Sequence, residues 1–379
     1  MSLQVLHLID SGGLYGAERM LLGLVQEQLR QGMRPVILST GEPGQEEKAV
    51  EAEARRLSLP LKITRMKPGL NRSATRELLG WIREVGFDIV HTHGFKFNIL
   101  LAVYGGDRHG ISWVSTVHGH VKPHIFRKIW LYERLDRWAL RRADHVIFVR
   151  EGMGQDLGLG KSVLTKSSTI ENGLDFDEIT FHAPMPTGVK TFLANHQHVI
   201  CGVGRLSPEK GFDILIRALD QVRSTQPGCG VVILGTGRLK AELERVISAH
   251  GLEDHVLLAG YVSDVIPILA SSSVVALPSL TEGLPITLLE AMYSETPIVA
   301  TTVGGMPQVL EHGRLGILVP PNDPKALAKG ILEIINTPSA AKNRTRLAVA
   351  TVKDKFSAQA MGQKYAAVYH KCMGTASTS

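Results

Sequence analysis

Short runs of β-branched and aliphatic residues alternate with amphipathic stretches of helix length along nearly the whole chain, and this alternation narrows the fold most. The apolar run "LQVLHLID" leads into "GAERMLLGLVQEQLRQG", with helical spacing, and then into "RPVILST". A strand, helix, strand order predicts parallel strands joined by crossover helices. The pattern continues through "FDIVHTHG", "SWVSTVHGH" and "DHVIFVRE" before "FHAPMPTGVKTFLANHQ" interrupts it with prolines and no clear period. That break places a linker at residues 181–196, after a first domain over 1–180. The alternation restarts with "HVICGVGRLS", "GVVILGTG", "HVLLAGYV", "VVALPS" and "PIVATTVGG", giving a second domain over 197–355. The expected fold class is α/β, with two doubly wound Rossmann-like domains in series. Ligands of such sheets bind beyond the carboxyl ends of the strands, so the cleft between the domains is the expected active site.

The 379 residues exceed what one typical core holds. Apolar residues make up 44% and charged residues 21%, the balance of a globular enzyme, with only the polar tail from Thr375 to Ser379 excepted. The first strand lacks the basic start and long apolar stretch of a signal peptide. No apolar run reaches the roughly 18 residues of a membrane span. Cys201, Cys229 and Cys372 are odd in number and widely spaced, which points to a reducing compartment and a cytoplasmic protein. The formal charge of +6 and the pI near 9.2 favour anionic partners, whether phosphorylated ligands, nucleic acid or an acidic membrane. No nucleic-acid-binding motif or concentrated basic domain accompanies that charge.

Three segments offer phosphate chemistry. In "DSGGLYGAER", Gly12, Gly13 and Gly16 fall between a strand and a helix, where backbone N–H groups can approach an anion; a tight turn accounts for them equally well. The spacing does not fit G-x-G-x-x-G, which removes the main support for a nicotinamide-dependent oxidoreductase. In "GVGRLSPEKGFDILIRAL", Arg205 and Lys210 leave a strand end together and can clamp a diphosphate through two charge-assisted contacts of about 1.5–3 kcal/mol each. Read blandly, they are two solvated surface charges. In "PSLTEGLPITLLEAM", Pro285 suits a first helical position, Glu282 sits in the loop ahead and Glu290 in the helix body. One carboxylate can take sugar hydroxyls and the other a ribose, or Glu282 caps the helix and Glu290 is paired structurally.

In "PHIFRKIWLYERLDRWALRRAD", Arg127, Trp130, Arg134, Arg137 and Arg141 share a helical face, with Leu131, Leu135 and Trp138 on a face suited to the core. The basic stripe fits peripheral contact with an anionic membrane surface, or a solvated face whose charges pair with Glu133 and Asp136.

Taken together, Glu282 and Glu290 as E-x(7)-E, "GRLSPEKG", "ILGTG", "LAGYV" and "ATTVGGMPQVLEHGRLGILVPPND" resemble glycosyltransferase family 4. "HTHG", "STVHGH", "RRADHVIFV" and "IENGLD" follow in the family's order, so the resemblance covers nearly the whole chain. It implies a GT-B fold, retention of anomeric configuration, a nucleotide-diphosphate sugar of UDP or GDP type as donor, no cofactor and no essential metal. It also implies that a last helix over 356–372 crosses back to complete the first domain, although Ala358 follows Phe356 and Ser357 where many members carry an aromatic residue. By position, Arg205 and Lys210 would grip the diphosphate, Glu282 the donor sugar and Glu290 the ribose. Gly13 and Gly16 would approach the phosphates, and Gly235, Val262, Gly283, Leu284, Pro285 and Ile286 would line the donor. His118 matches the family histidine beside the transferred sugar; the residues alone do not rank it above His91, His93 or His120. The implied acceptor is a glycan or lipid-linked glycan in polysaccharide, glycolipid or lipopolysaccharide assembly. A sugar-nucleotide epimerase or hydrolase on the same fold is the alternative.

Overall fold

A computed structural model describes the chain except for residues 1, 11–12, 68, 107–110, 120–126 and 377–379, and except for the side chains of 127–130 and 375–376. Contacts divide it into two units: Met1–Gly173 with Ala358–Ser379, and Leu174–Ser357.

The first unit is built on seven strands: β1 (Gln4–Ile9), β2 (Arg34–Gly41), β3 (Leu61–Arg65), β4 (Ile89–His93), β5 (Ser112–Val117), β6 (His145–Phe148) and β7 (Ser167–Thr169). They pair in parallel in the order β3-β2-β1-β4-β5-β6-β7. The second unit has β8 (His198–Val203), β9 (Cys229–Leu234), β10 (Val256–Gly260), β11 (Val274–Leu277), β12 (Ile298–Thr301) and β13 (Ile317–Val319), parallel in the order β10-β9-β8-β11-β12-β13. Both are doubly wound α/β sheets. The strand order reverses between β1 and β4 in one and between β8 and β11 in the other, which opens a crevice for ligands at the carboxyl ends of those strands.

Helices cover both faces of each sheet, so its central strands are largely buried. β9 and β11 are buried at every position. The helix Gly16–Arg30 buries Met20, Leu21, Leu24, Val25 and Gln28, spaced by one, three and four along one face. Against it lies the last helix, Ala358–Ala376, where Gly362 permits the close approach; a Cβ there would collide with the Glu27 side chain. Tyr365 and Tyr369, one turn apart on that last helix, are fully buried in the first unit. No helix among the described residues is long and apolar enough to cross a membrane.

The expected linker over 181–196 differs from what is found. The chain passes between units at Gly173 and Leu174, and the backbone N–H of Leu174 donates to the carbonyl of Phe356 at 2.8 Å. Residues Thr187–Asn195 form a helix of the second unit, with Val189 buried and Phe192 stacked on His196 at 4.1 Å. Nine residues carry too few turns to display an amphipathic period, and the prolines ahead of the helix mark its start rather than a loose connection.

Glu51 supplies a pH-sensitive support for the first unit. Burial alone would raise its pKa, but hydrogen bonds from Arg65 at 2.8 Å, from the Ser39 hydroxyl at 2.7 Å and from the Lys48 backbone at 3.0 Å outweigh it and hold the carboxyl at about 2. A depressed carboxylate contributes stability that is complete above its unfolded-state pKa near 4.5 and disappears as pH falls toward 2. Glu51→Gln is therefore expected to lower stability at pH 7 and to flatten its decline between pH 5 and 2 in urea titrations. An unchanged acid slope would assign that decline to other carboxylates.

Candidate active site

In the second unit the loops after β8 and β11 leave the sheet on either side of its reversal point. The first carries Arg205 and Lys210, the second Ser279 and Glu282. Lys210 Nζ donates to Glu282 Oε1 at 2.6 Å, and the Ser279 hydroxyl donates to the same oxygen at 2.7 Å. Arg205, half exposed, reaches Glu209 Oε1 at 2.8 Å. Burial would raise the Glu209 carboxyl, but hydrogen bonds from Ser207 and its own backbone together with Arg205 hold it below the usual range. The cations of the expected clamp are thus held by carboxylates of the same loops, and Glu282 does not cap the following helix. The Leu280 N–H donates to the Glu209 carbonyl at 2.8 Å, tying the two loops together through the backbone.

Gly235, at the end of β9, has φ +146 and lies so close to the Gly204 carbonyl that a Cβ would not fit. Val262 follows β10 in a partly exposed loop. Leu284 and Ile286 bury their side chains, so they offer a ligand backbone groups only. Pro285 is the N-cap of the helix Ile286–Tyr293, one residue before the position expected for it, and Glu290 is buried within that helix. The Gly283 carbonyl is braced by the Gly305 N–H at 2.8 Å.

In the first unit Gly13 precedes the helix that begins at Gly16, and the Glu18 carboxylate folds back onto the Tyr15 N–H at 2.7 Å. Gly12 and His120 lie outside the described residues. Asp10, just past β1, pairs with Lys96 at 2.9 Å and Lys48 at 3.5 Å.

His118 follows β5 immediately, and it is not isolated. Its Nε2 lies 3.0 Å from His93 Nδ1, His93 Nε2 lies 3.0 Å from His7 Nδ1, and His7 Nε2 lies 2.8 Å from Gln28 Oε1. His91 bridges Tyr369 OH and the Thr116 hydroxyl, each at 2.7 Å. Burial lowers all four imidazoles, His7 and His118 to about 4 and His91 and His93 well below their ordinary value, so all are neutral at pH 7. The nitrogens of His7, His91 and His93 come within 4.8 Å of one another, near enough to hold a metal ion, but all six already face a protein partner.

Two family models divide the chain between them: "Glycosyltransferase Family 4" matches residues 15–178 and "Glycosyl transferases group 1" matches residues 189–351. The chain belongs to the group 1 glycosyltransferases. Among curated relatives of this glycosyltransferase is the alpha-D-kanosaminyltransferase of Streptomyces kanamyceticus, 33% identical over 175 residues that span 46% of this chain and 45% of that one. The glycogen synthase of Mycobacterium tuberculosis is 28% identical over 306 residues, 77% of this chain and 70% of that one. Among solved structures, Anabaena HepE in complex with UDP-glucose superposes with a TM-score of 0.84 at 22% identity, covering 97% of this chain and 99% of that one. That likeness establishes the shared GT-B fold.

The helix Arg127–Leu140 of this glycosyltransferase departs from expectation. Leu131, expected to pack, is exposed, whereas Asp136, Ala139 and Leu140 are buried. The Asn98 amide donates to Asp136 at 2.7 Å and so satisfies a buried carboxylate that sequence patterning assigns to solvent. Of the basic stripe, Arg134 is exposed, Arg137 lies 3.8 Å from Glu133, and Arg141 falls past the helix end. The side chains of Arg127 and Trp130 lie outside the described residues. Sequence reasoning missed His7, Gln28 and Tyr369. The available signal was a histidine and a glutamine at positions that the strand and helix patterns assign to the core, where a polar group needs a partner.

Proposed function

We propose that this glycosyltransferase retains anomeric configuration, taking its sugar from a nucleoside diphosphate sugar without an essential metal. The observation that carries this is the Lys210–Glu282 contact of 2.6 Å at the reversal point of the second sheet. It sets a cation for the diphosphate beside a carboxylate for the sugar hydroxyls, and Arg205 stands on the same loop. The bond between the anomeric carbon and the diphosphate oxygen breaks as the acceptor oxygen bonds to that carbon on the same face. The acceptor hydroxyl gives its proton to the departing phosphate. No enzyme nucleophile takes part; Arg205 and Lys210 stabilise the leaving charge, and fixed groups position the reactants. Glu290 takes the ribose, Gly13 and Gly16 serve the phosphates through their backbone, and His118 contacts the transferred sugar. A uridine donor and a glycan acceptor are supported by the UDP-glucose in the HepE complex and by the glycogen synthase relationship.

Glu282→Gln tests the assignment. The amide keeps the shape but loses the charge that neutralises Lys210, so affinity for free UDP in calorimetry should be preserved while transfer falls sharply. Equal loss of both would move Glu282 to a structural role. Product analysis by NMR should show the donor's anomeric configuration in the new linkage. Free sugar or an epimerised nucleotide sugar as sole product would replace transfer with hydrolysis or epimerisation.

A further inference from the structure

A neutral imidazole carries one N–H donor and one bare acceptor nitrogen, so a row of neutral imidazoles in contact must all point the same way. Such a row runs through the first unit from Gln28 to His118. Gln28 is fully buried, with its Nε2 donating to Tyr369 OH at 3.2 Å and its Oε1 facing His7 Nε2 at 2.8 Å. Because Oε1 only accepts, His7 carries its proton on Nε2 and leaves Nδ1 bare. His93 must then donate from Nε2 to His7 Nδ1, which bares His93 Nδ1. His118 in turn must donate from Nε2 to His93 Nδ1. The remaining nitrogen, His118 Nδ1, is buried and has no hydrogen-bond partner among the described residues.

We propose that Gln28, His7 and His93 are positioning residues that fix the tautomer of His118, presenting its Nδ1 as a bare acceptor for a hydroxyl of the bound substrate. The inference rests on the reading of His118 as the residue beside the transferred sugar. The chain is directional: turning the Gln28 amide over would reverse every proton in it and make His118 Nδ1 a donor. Tyr369 opposes that reversal while its own hydroxyl donates to His91 Nδ1, at 2.7 Å, and accepts from the amide. Burial, which keeps all these rings neutral at pH 7, is what allows a tautomer to pass along them. The acceptor on His118 selects for substrates offering a hydroxyl proton at that point and against those offering a carbonyl or ether oxygen.

The test is the histidine nitrogen spectrum of the full-length protein labelled with 15N-histidine at pH 7, with the His118 signals assigned by their loss in His118→Gln. Wild type should show His118 Nε2 as the protonated nitrogen and Nδ1 as the bare one, and Gln28→Met should bring in the opposite tautomer at His118, although the two residues share no contact. Turnover should fall in proportion to the fraction converted. A wild-type His118 protonated on Nδ1, or a His118 tautomer indifferent to Gln28→Met, would overturn the relay. So would a stoichiometric divalent metal retained by the purified protein, because a ligated nitrogen can neither donate nor accept. A tautomer that shifts while turnover stays intact supports the relay and removes His118 from the reaction. The wild-type spectrum decides the direction even if Gln28→Met does not fold.

Discussion

Lys210→Ala is expected to lower kcat by about 10²–10³-fold, corresponding to roughly 2.7–4 kcal/mol of lost stabilisation for the departing diphosphate. Two effects combine. On the proposed mechanism the leaving charge loses a fixed cation, and Glu282, which the ammonium neutralises at 2.6 Å, keeps only the Ser279 hydroxyl among the contacts described for it. A bare carboxylate facing a developing anion adds repulsion to the missing attraction, so Lys210→Ala should be worse than the loss of one hydrogen bond. The coupling is measurable in a double-mutant cycle: Glu282→Gln in the Lys210→Ala background should harm kcat less than it does in wild type. Near-normal turnover in Lys210→Ala with UDP-sugar donors would remove the residue from the leaving-group site. Arg205→Ala should fall less far, since its side chain is half exposed and already leans on Glu209.

Trp113→Ala is expected to destabilise the first unit by about 3–5 kcal/mol, the range for removing a large aromatic side chain from a core. Trp113 lies on β5 with no exposed surface, and its indole N–H donates to the Thr92 hydroxyl at 3.0 Å. Thr92 also bonds Asn98 Oδ1 at 2.5 Å, and its side chain faces away from those of His91 and His93 on β4, so the void would open on the sheet face opposite the histidine row. The four tryptophans at 81, 113, 130 and 138 all belong to the first unit, and the fluorescence of the remaining three in a urea titration reports that unit separately from the second. A midpoint unchanged from wild type would mean that the neighbouring core closes over the space.

What the sequence disclosed followed the locality of each signal. Arg205, Lys210, Glu282 and Glu290 sit in two unbroken motifs at strand ends, and parallel-sheet topology alone brings those ends together. The histidine row was illegible for the opposite reason: Gln28 and Tyr369 are 341 positions apart, and no local period marks either as polar business within a core. The boundary near residue 180 failed because the helix Thr187–Asn195 is too short to show its face, and Leu131 failed because a buried carboxylate with its own amide partner took the packed side of its helix.

Leu174 and Ser357 form a parallel bridge, so the second unit begins and ends side by side, and the first unit is finished only by Ala358–Ala376. Translation therefore delivers that helix only after the whole second unit. A ribosome that has released every residue through the second sheet has yet to supply Tyr369, the hydroxyl that grips Gln28 and His91, and nascent chains stalled there should hold a completed second unit and an unsealed first one.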